Sequence, residues 1–416
     1  YTSEMTVSTA DDIVLGGSYP SYTSVGSTVP VSLTWEKSTT YDVGLDLDFF
    51  NNRLSVSGDY YRRYTTDMYT ASVALPAVYG TGSPKGNNAE MKTDGWELSL
   101  SWRDSFKLGG KPFDYSIKAM VWDSKSVITK YVNDTGSLGT VKGFIENGGS
   151  PSSYYVGMTV GEIWGYTVAG LFRDQADIDS SAIHDFVQAS DKVTRPGQVK
   201  IADLDGNGFI DPGNFAVDDH GDLRIIGNQS PRYRYGVNLS ARWNGIGLSV
   251  FLQGVGARDW YPGSDAGMFW GKYGRPFFAL IPSIHNYTDD MYSAERNNWD
   301  TAYWPRMTTY QSNGTKNWTR LLEIPNTRYI QSAAYLRVKN IQLDYSFPKH
   351  ICSAIRLQGL KIYVNAENLF TFTPLHKYAP NFDPEGLSYD SDFASAADGY
   401  TYPILKSVTV GVNITF

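Results

Sequence analysis

The sequence lacks several features on which common protein functions depend. Its 416 residues include a single cysteine, Cys352, so an internal disulfide is impossible. No run of about 18 apolar residues occurs, which excludes a helical membrane span. The five histidines are dispersed, and an HExxH motif, a glycine-rich phosphate loop and a GxSxG elbow are all missing. We therefore expect a protein that is not an enzyme.

Basic residues are also too few and too scattered for a nucleic-acid partner. The chain has 43 acidic against 36 basic residues, a net charge of −7, and no basic cluster. Aromatic residues, in contrast, make up 14% of the chain. Aromatic girdles at two membrane interfaces would use many of them, although a carbohydrate-binding β-protein is also rich in aromatic residues.

The clearest positive pattern lies at the end of the chain. Val408, Val410, Val412, Ile414 and Phe416 alternate with polar or small residues, so a strand here has one apolar and one polar face. About nine stretches alternate in this way: 41–49, 54–60, 96–102, 115–121, 233–243, 248–254, 341–347, 360–366 and 402–416. Apolar-out, polar-in segments of roughly ten residues are typical of a transmembrane antiparallel β-barrel.

The connections between these strands favour a barrel over a soluble β-sandwich. Short connections rich in Asn, Gly or Pro alternate with connections well above ordinary loop lengths, as periplasmic turns and extracellular loops do in outer-membrane barrels. Residues 134–228 and 259–332 are predicted as two long extracellular loops within one β-barrel domain, 1–416. An odd number of strands places the chain ends on opposite sides of the membrane, whereas bacterial barrels have even numbers. We therefore expect the C-terminal part of a larger barrel, entered within an extracellular loop, that does not close on itself.

Seven segments, taken together and in order, resemble the C-terminal half of SusC-like (SusC/RagA) TonB-dependent transporters. They are LTWEKSTTYDVGLDLDFFNNRLSVSGDYYRRYTTDMY (33–69), DGWELSLSW (94–102), VGMTVGEIWGY (156–166), IADLDGNGFID (201–211), RIIGNQSPRYRYGVNLSARW (224–243), YLRVKNIQLDYSFP (335–348) and IYVNAENLFTFT (362–373). The resemblance implies a 22-stranded barrel in the bacterial outer membrane, with an N-terminal plug and a TonB contact that these residues do not include. It further implies import of oligosaccharides or oligopeptides with a SusD-like surface lipoprotein. A passive porin, or a secreted glycan-binding β-protein, is the alternative.

The end of the chain also resembles the assembly signal of bacterial outer-membrane barrels. The chain stops on the aromatic Phe416, with Ile414 on the same strand face and Gly411 five residues before the end. We expect these three residues to direct insertion into the outer membrane, where the strand contacts lipid.

Aromatic residues of the second long loop are the candidates for contact with substrate or partner. Aromatic faces stack on sugar rings and anchor protein interfaces. The alternative is that these side chains pack the loops against each other. The candidates are Trp260, Tyr261, Trp270, Tyr273, Trp299, Tyr303 and Trp304.

The segment DLDGNGFID resembles a calcium-binding loop of the EF-hand kind. Asp203, Asp205, Asn207, the Phe209 carbonyl and Asp211 take positions one, three, five, seven and nine, where such loops carry oxygen ligands. Position twelve is an asparagine instead of the bidentate glutamate, so one of three later carboxylates, Asp218, Asp219 or Asp222, would have to complete the shell. A structural Ca²⁺ is predicted, and a turn held by its own hydrogen bonds is the alternative.

Overall fold

The computed structural model describes residues 5–10, 13–25, 33–71, 84–133, 136–139, 154–184, 194–262, 269, 290–306, 324–387 and 404–416. Strands dominate this part of the chain. The elements are β1 (Met5–Thr9), β2 (Ser21–Val25), β3 (Lys37–Phe49), β4 (Leu54–Ala71), β5 (Lys85–Leu108), β6 (Lys111–Lys130), β7 (Glu162–Tyr166), β8 (Val168–Leu171), α1 (Gln175–Asp179), β9 (Ile183–His184), β10 (Val199–Ile201), β11 (Phe209–Ile210), β12 (Leu223–Asn228), β13 (Arg232–Trp243), β14 (Ile246–Ala257), β15 (Asp259–Trp260), β16 (Gln331–Ser332), β17 (Tyr335–Ser346), α2 (Lys349–Ala354), β18 (Gly359–Phe372), a 3₁₀ helix (Pro374–Lys377) and β19 (Ser407–Thr415). Within the described ranges, no helix is long and apolar enough to cross a membrane.

Nine long strands form one antiparallel sheet in the order β3, β4, β5, β6, β13, β14, β17, β18, β19. The nine strands predicted from the alternation are the nine strands of this sheet, which confirms the all-β fold class. Within the part of the chain that the structure describes, β3 and β19 each have one neighbour. The sheet is therefore open at both edges, as expected for part of a larger barrel.

The register of the sheet separates an apolar wall from a polar wall. Directly paired residues share a face, and one such row on β3 to β13 is Leu47, Val56, Leu100, Ala119 and Val237. The next row, on the opposite face, contains Ser101, Lys118 and Asn238. We call the first face the outer wall and the second the inner wall.

The outer wall has no protein cover over most of its apolar residues. Val43 is 75% exposed and Val410 is 73% exposed. Apolar side chains in this number and arrangement match the lipid-facing band of a membrane barrel.

Tight turns close one end of the sheet because their residues accept left-handed backbone conformations. Asn51 and Asn52 between β3 and β4 have φ of 55° and 62°, and Gly109 and Gly110 between β5 and β6 have φ of 59° and 75°. Asparagine and glycine are the residues that adopt this conformation most readily. The fourth short connection, between β17 and β18, is longer than the turn expected from the sequence because it contains α2, in which Cys352 is buried.

Strands β4, β5 and β6 are longer than the sequence pattern indicates. They contain 18, 24 and 20 residues, whereas the alternating stretches in the sequence are about ten residues long, which is what a bilayer requires. Their far halves carry polar residues on both faces, so the alternation disappears although the backbone ladder continues. The strands therefore project beyond the apolar band on the side of the long connections.

The long connections pack together into a second body with its own hydrophobic core. Four two-stranded sheets build it: β7 with β12, β8 with β10, β9 with β11 and β15 with β16. We call this body, made of 154–184, 194–230, 258–262, 290–306, 324–334 and 374–387, the loop assembly. Its fully buried side chains include Tyr166, Ile210, Leu223, Trp304, Tyr329 and Leu375.

Candidate functional site

The aromatic residues proposed from the sequence differ widely in exposure. Trp260, Tyr261 and Trp304 are 4%, 2% and 0% exposed and belong to the core of the loop assembly. Trp299 is 37% exposed, and Tyr303 is half-buried. Trp270 and Tyr273 lie outside the described residues. Of the described candidates, Trp299 therefore presents the most open surface to a ligand or partner.

Ring contacts join two separate loops within this core. The ring of Trp260 lies 4.9 Å from that of Phe382, and the ring of Tyr303 stacks on Tyr378 at 3.6 Å with an interplanar angle of 4°. Both partners belong to the connection between β18 and β19. The sequence gives no sign of this contact, because aromatic residues in irregular segments carry no periodicity.

Two buried arginines, one directly after β14 and one on β17, bind the connection between β18 and β19. Arg258 donates hydrogen bonds to the carbonyl oxygens of Pro384 and Leu387, both at 2.8 Å. Arg337, 3% exposed on β17, binds the carboxylates of Asp383 and Glu385 at 2.5 and 2.7 Å.

The ionisation of Asp383 reflects these contacts. Burial acts to raise the pKa of Asp383, but the backbone N–H of Glu385 and the charge of Arg337 outweigh it, so the pKa is lowered. The carboxylate therefore stays charged at neutral pH and keeps the connection attached to β17.

Glycines allow the two long loops to approach each other closely. A Cβ at Gly165 on β7 would lie 2.1 Å from the carbonyl oxygen of Pro325, and one at Gly197 would lie 2.0 Å from the Tyr292 ring. Both distances are far below van der Waals contact, so only glycine fits. The loops on either side of β13 and β14 are thus packed as one unit.

The acidic loop is a turn in which carboxylates accept hydrogen bonds from backbone N–H groups of the same loop. Asp203 accepts hydrogen bonds from the backbone N–H groups of Gly206 and Gly208 at 2.7 and 3.0 Å, and Asp205 accepts one from Asn207 at 3.0 Å. Gly206 and Gly208 have φ of 76° and 86°, a conformation suited to glycine. The Gly208 N–H and the other hydrogen bonds lower the pKa of Asp203.

The remaining predicted ligands follow on the same turn. The Asn207 side chain accepts the Phe209 N–H at 2.7 Å and donates to Asp211 at 3.1 Å. Phe209 also begins β11, which pairs with β9. The loop is therefore anchored at one end in the loop assembly.

Asp222 is the carboxylate that joins this loop from the following turn. It is fully buried, and its oxygens accept the backbone N–H groups of Leu204 and Asp211 at 2.6 and 3.0 Å. Carboxylate oxygens of Asp203, Asp205 and Asp222 lie within 4.8 Å of one another. Burial, together with the charges of Asp205 and Asp203, raises the pKa of Asp222 against the lowering effect of its hydrogen bonds.

Of the three residues of the proposed assembly signal, Gly411 and Ile414 lie on the edge strand β19 and Phe416 directly follows it. Ile414 and Phe416 are 50% and 82% exposed, and Ile414 shares the outer wall with Val412. Gly411 points to the inner wall, where a Cβ would lie 2.2 Å from the ring of Tyr363. Tyr363 therefore fills the space that Gly411 leaves open.

The inner wall is polar and contains a cavity of about 750 Å³ near the tight-turn end. Its lining includes Arg103, Asp114, Arg242, Gln342 and Lys361. A polar inner surface is what separates a barrel from a β-sandwich, whose inner faces are apolar.

Comparisons with known proteins agree with this architecture. A family model described as "TonB dependent receptor-like, beta-barrel" matches residues 7–189. TonB-dependent receptor P3 of Formosa agariphila is 26% identical over 393 residues, which cover 92% of this chain and 34% of that protein. TonB-dependent receptor SusC of Bacteroides thetaiotaomicron is 24% identical over 391 residues, covering 92% of this chain and 32% of its own length. The chain thus spans about a third of the length of these relatives.

Solved structures share the fold. The RagAB peptide transporter matches with a TM-score of 0.63 and 20% sequence identity, over 100% of this chain and 39% of that one. The RagAB peptide importer in its "open-open" state matches with a TM-score of 0.61 and 19% identity, over 100% and 38% of the two chains. The motifs, the nine-stranded wall and these matches together make the chain similar to the SusC-like TonB-dependent receptors, which are outer-membrane proteins, and its described strands form part of such a β-barrel.

Proposed function

We propose that the chain supplies barrel wall and extracellular loops to a TonB-dependent importer of oligosaccharides or oligopeptides. The observation that carries this proposal is the combination of an apolar outer wall, a polar inner wall and a folded loop assembly above them. A passive pore needs the two walls but not a body of packed loops with a core of its own. The names of the relatives, which are receptors and transporters, support a role in uptake without catalysis.

The test of active import is uptake with and without TonB. Cells that carry the protein should take up labelled oligosaccharides or oligopeptides. Disruption of TonB should abolish that uptake while the protein stays in the outer membrane. A passive porin would keep the uptake. Peptide transport is the activity named for RagAB, so a mixed oligopeptide pool is the first substrate to try.

We further propose that a SusD-like surface lipoprotein docks on the loop assembly. The loops bury more apolar residues than strand connection requires, and Trp299 remains open on their surface. Purification from native membranes in mild detergent should recover the lipoprotein with the protein. A Trp299→Ala variant should weaken this association, or substrate binding if the residue contacts the ligand instead, whereas loss of neither would remove Trp299 from the proposal.

We also propose that Asp203, Asp205 and Asp222 hold a structural Ca²⁺, together with Asn207, the Phe209 carbonyl and Asp211. Hard oxygen ligands on a rigid turn suit this ion, and a cation would favour the charged form of Asp222, whose pKa is raised by burial and, to a smaller extent, by the charges of Asp205 and Asp203. Such an ion would brace the acidic loop against β9 without taking part in transport.

The calcium proposal is tested by the protection of residues 199–223 against hydrogen exchange. Saturation at 100 times the dissociation constant stabilises a site by about 2.7 kcal/mol, so Ca²⁺ should slow exchange strongly. Asp203→Asn with Asp205→Asn should remove the effect, while Asp218→Asn with Asp219→Asn serves as a matched control. Equal exchange with Ca²⁺ and with a chelator would show that the turn is held by its hydrogen bonds.

A further inference from the structure

A cationic cluster lies on the outer wall directly beyond the apolar band. Tyr41, Arg62, Asp94 and Lys125 are paired in register across β3, β4, β5 and β6, so their side chains share the outer face. Lys92 belongs to the neighbouring row of the same face. Arg62 lies 2.5 Å and Lys92 3.3 Å from the Asp94 carboxylate.

The cluster keeps a positive charge after its internal pairing. Arg62, Lys92 and Lys125 bring three positive charges, and Asp94 brings one negative charge. The Tyr60 hydroxyl donates to Asp94 at 3.0 Å, which holds the carboxylate at the centre of the group.

Two other charges on this wall, those of Asp123 and Lys37, have partners of their own. Asp123 is engaged by two nitrogens of Arg232 at 2.6 and 2.5 Å, and Lys37 pairs with Asp67 at 2.9 Å. Among the described residues, the carboxylate of Asp94 is the one that pairs with the cations of the cluster, so two positive charges are in excess. The cations are also reachable, since the side chains of Arg62 and Lys92 are 42% and 32% exposed and Lys125 is exposed.

The position of the cluster relative to the membrane follows from the number of β4 residues between the tight turn and Arg62. On β4 the outer face runs from Leu54 at the tight turn through Val56 and Gly58 to Tyr60, and then reaches Arg62. Leu54 to Arg62 is nine residues, which matches the ~9–11 residues that a tilted transmembrane strand needs to cross the bilayer. Arg62 therefore lies at the boundary on the side of the long loops, where lipid head groups surround the wall.

We propose that Arg62, Lys92 and Lys125 bind the phosphate of an outer-leaflet glycolipid. Guanidinium and ammonium groups are the usual partners of phosphate, and the site continues the lipid-facing surface without a break, so a lipid is the molecule that meets it. Tyr41, 66% exposed beside Arg62, supplies an amphipathic ring at head-group height. This inference rests on the orientation of the proposed importer, with its long loops outside the cell.

The test compares the amount of glycolipid bound to the wild type and to a variant, both purified from outer membranes in mild detergent. Native mass spectrometry measures glycolipid retained by the wild type and by a variant carrying Arg62→Gln, Lys92→Gln and Lys125→Gln. Retention of phosphorylated lipid A should fall on the order of tenfold or more, because each cation near an anionic surface adds to binding. Re-lipidation with dephosphorylated lipid A should abolish the difference between the two proteins.

Lys118→Gln is the matched control, because Lys118 is on β6 but faces the inner wall. It should retain as much glycolipid as the wild type. If the triple variant does not reach the folded, heat-modifiable form, Lys125→Gln leaves the Arg62 pair intact and should still reduce retention severalfold. Equal retention by the folded variants and the wild type, or equal binding of dephosphorylated lipid A, would overturn the proposal.

Uptake assays on the same variants separate this inference from the proposed function. Reduced lipid retention with normal TonB-dependent uptake supports the site and leaves the importer intact. Normal lipid retention with normal uptake removes the lipid site only. Loss of TonB dependence in the wild type would remove the importer, whatever the lipid result.

Discussion

The wall and the loop assembly are stabilised in opposite ways. In the wall, backbone ladders run from β3 to β19 and apolar side chains point away from the protein, as Val43 and Val410 do. In the loop assembly the strands are two to six residues long, and aromatic side chains converge on buried residues such as Trp304. The wall therefore depends on lipid and on its neighbouring strands, whereas the loops behave like a small water-soluble domain.

Deleting Phe416 should have the largest effect, because it acts on the assembly of the whole wall. The residue directly follows the edge strand β19, which must be inserted and paired for the barrel to close. We expect a severalfold loss of folded, heat-modifiable protein in the outer membrane. Phe416→Tyr keeps an aromatic terminus and should preserve assembly, and a deletion variant that assembles at the wild-type level would contradict the signal.

Trp304→Ala should be the most damaging single substitution within the loop assembly. Truncation of a buried tryptophan costs about 3–5 kcal/mol, and the ring contacts Phe269 and Tyr329. Hydrogen exchange in 290–306 and 324–334 should accelerate on the order of a hundredfold or more, while the wall keeps its protection. Val410→Ala on the outer wall is the control, and if it disturbed the loops as strongly, the two regions would not be independent.

Gly165→Ala should separate the two long loops at their closest approach. The added methyl group would meet the Pro325 carbonyl oxygen at 2.1 Å, and overpacking of this kind typically costs about 1–3 kcal/mol. Proteolysis within 154–184 and 324–334 should become faster. Gly58→Ala, whose Cβ has its nearest neighbour at 3.9 Å, should leave the cleavage rate unchanged, and equal behaviour of the two variants would argue against a close-packed contact.

The smallest expected effect is a pH dependence at Asp383. Because its folded pKa is lowered, the stability it contributes is present above the ordinary aspartate value of about 3.9 and is lost as the pH falls through the lower folded value. Protection factors in 374–387, corrected for the intrinsic pH dependence of amide exchange, should therefore fall as the pH drops below about 3.9. Asp383→Asn should flatten this dependence, and an unchanged profile would assign the contact with Arg337 a minor role.

The sequence predicts the wall well because the wall is periodic. Alternating apolar residues locate nine strands, and the Asn and Gly turns between them define the tight end. The polar far halves of β5 and β6 are missed, since both faces there meet water or the loops and no alternation remains. Alternation of apolar and polar residues therefore locates a strand only where one face of that strand meets lipid.

The loop assembly could be predicted only in outline. The aromatic candidates are found from composition, but the burial of Trp260 and its contact with Phe382 depend on residues more than a hundred positions apart. The acidic loop is recognised from its spacing, whereas the choice of Asp222 over Asp218 or Asp219 needs the turn that brings it back to Asp203. Long-range packing leaves no periodic trace in a single sequence.

The length of β5 has a consequence for how molecules approach the protein. Its 24 residues, at about 3.4 Å each, extend roughly 80 Å along the strand, while the hydrocarbon core of a bilayer is about 30 Å thick. With β4 and β6 beside it, the part beyond the membrane forms a continuous sheet on the side of the long connections. A large molecule that moves along the membrane plane towards these strands meets a continuous hydrogen-bonded sheet, so the inner wall is easier to reach over the far ends of the strands than between them.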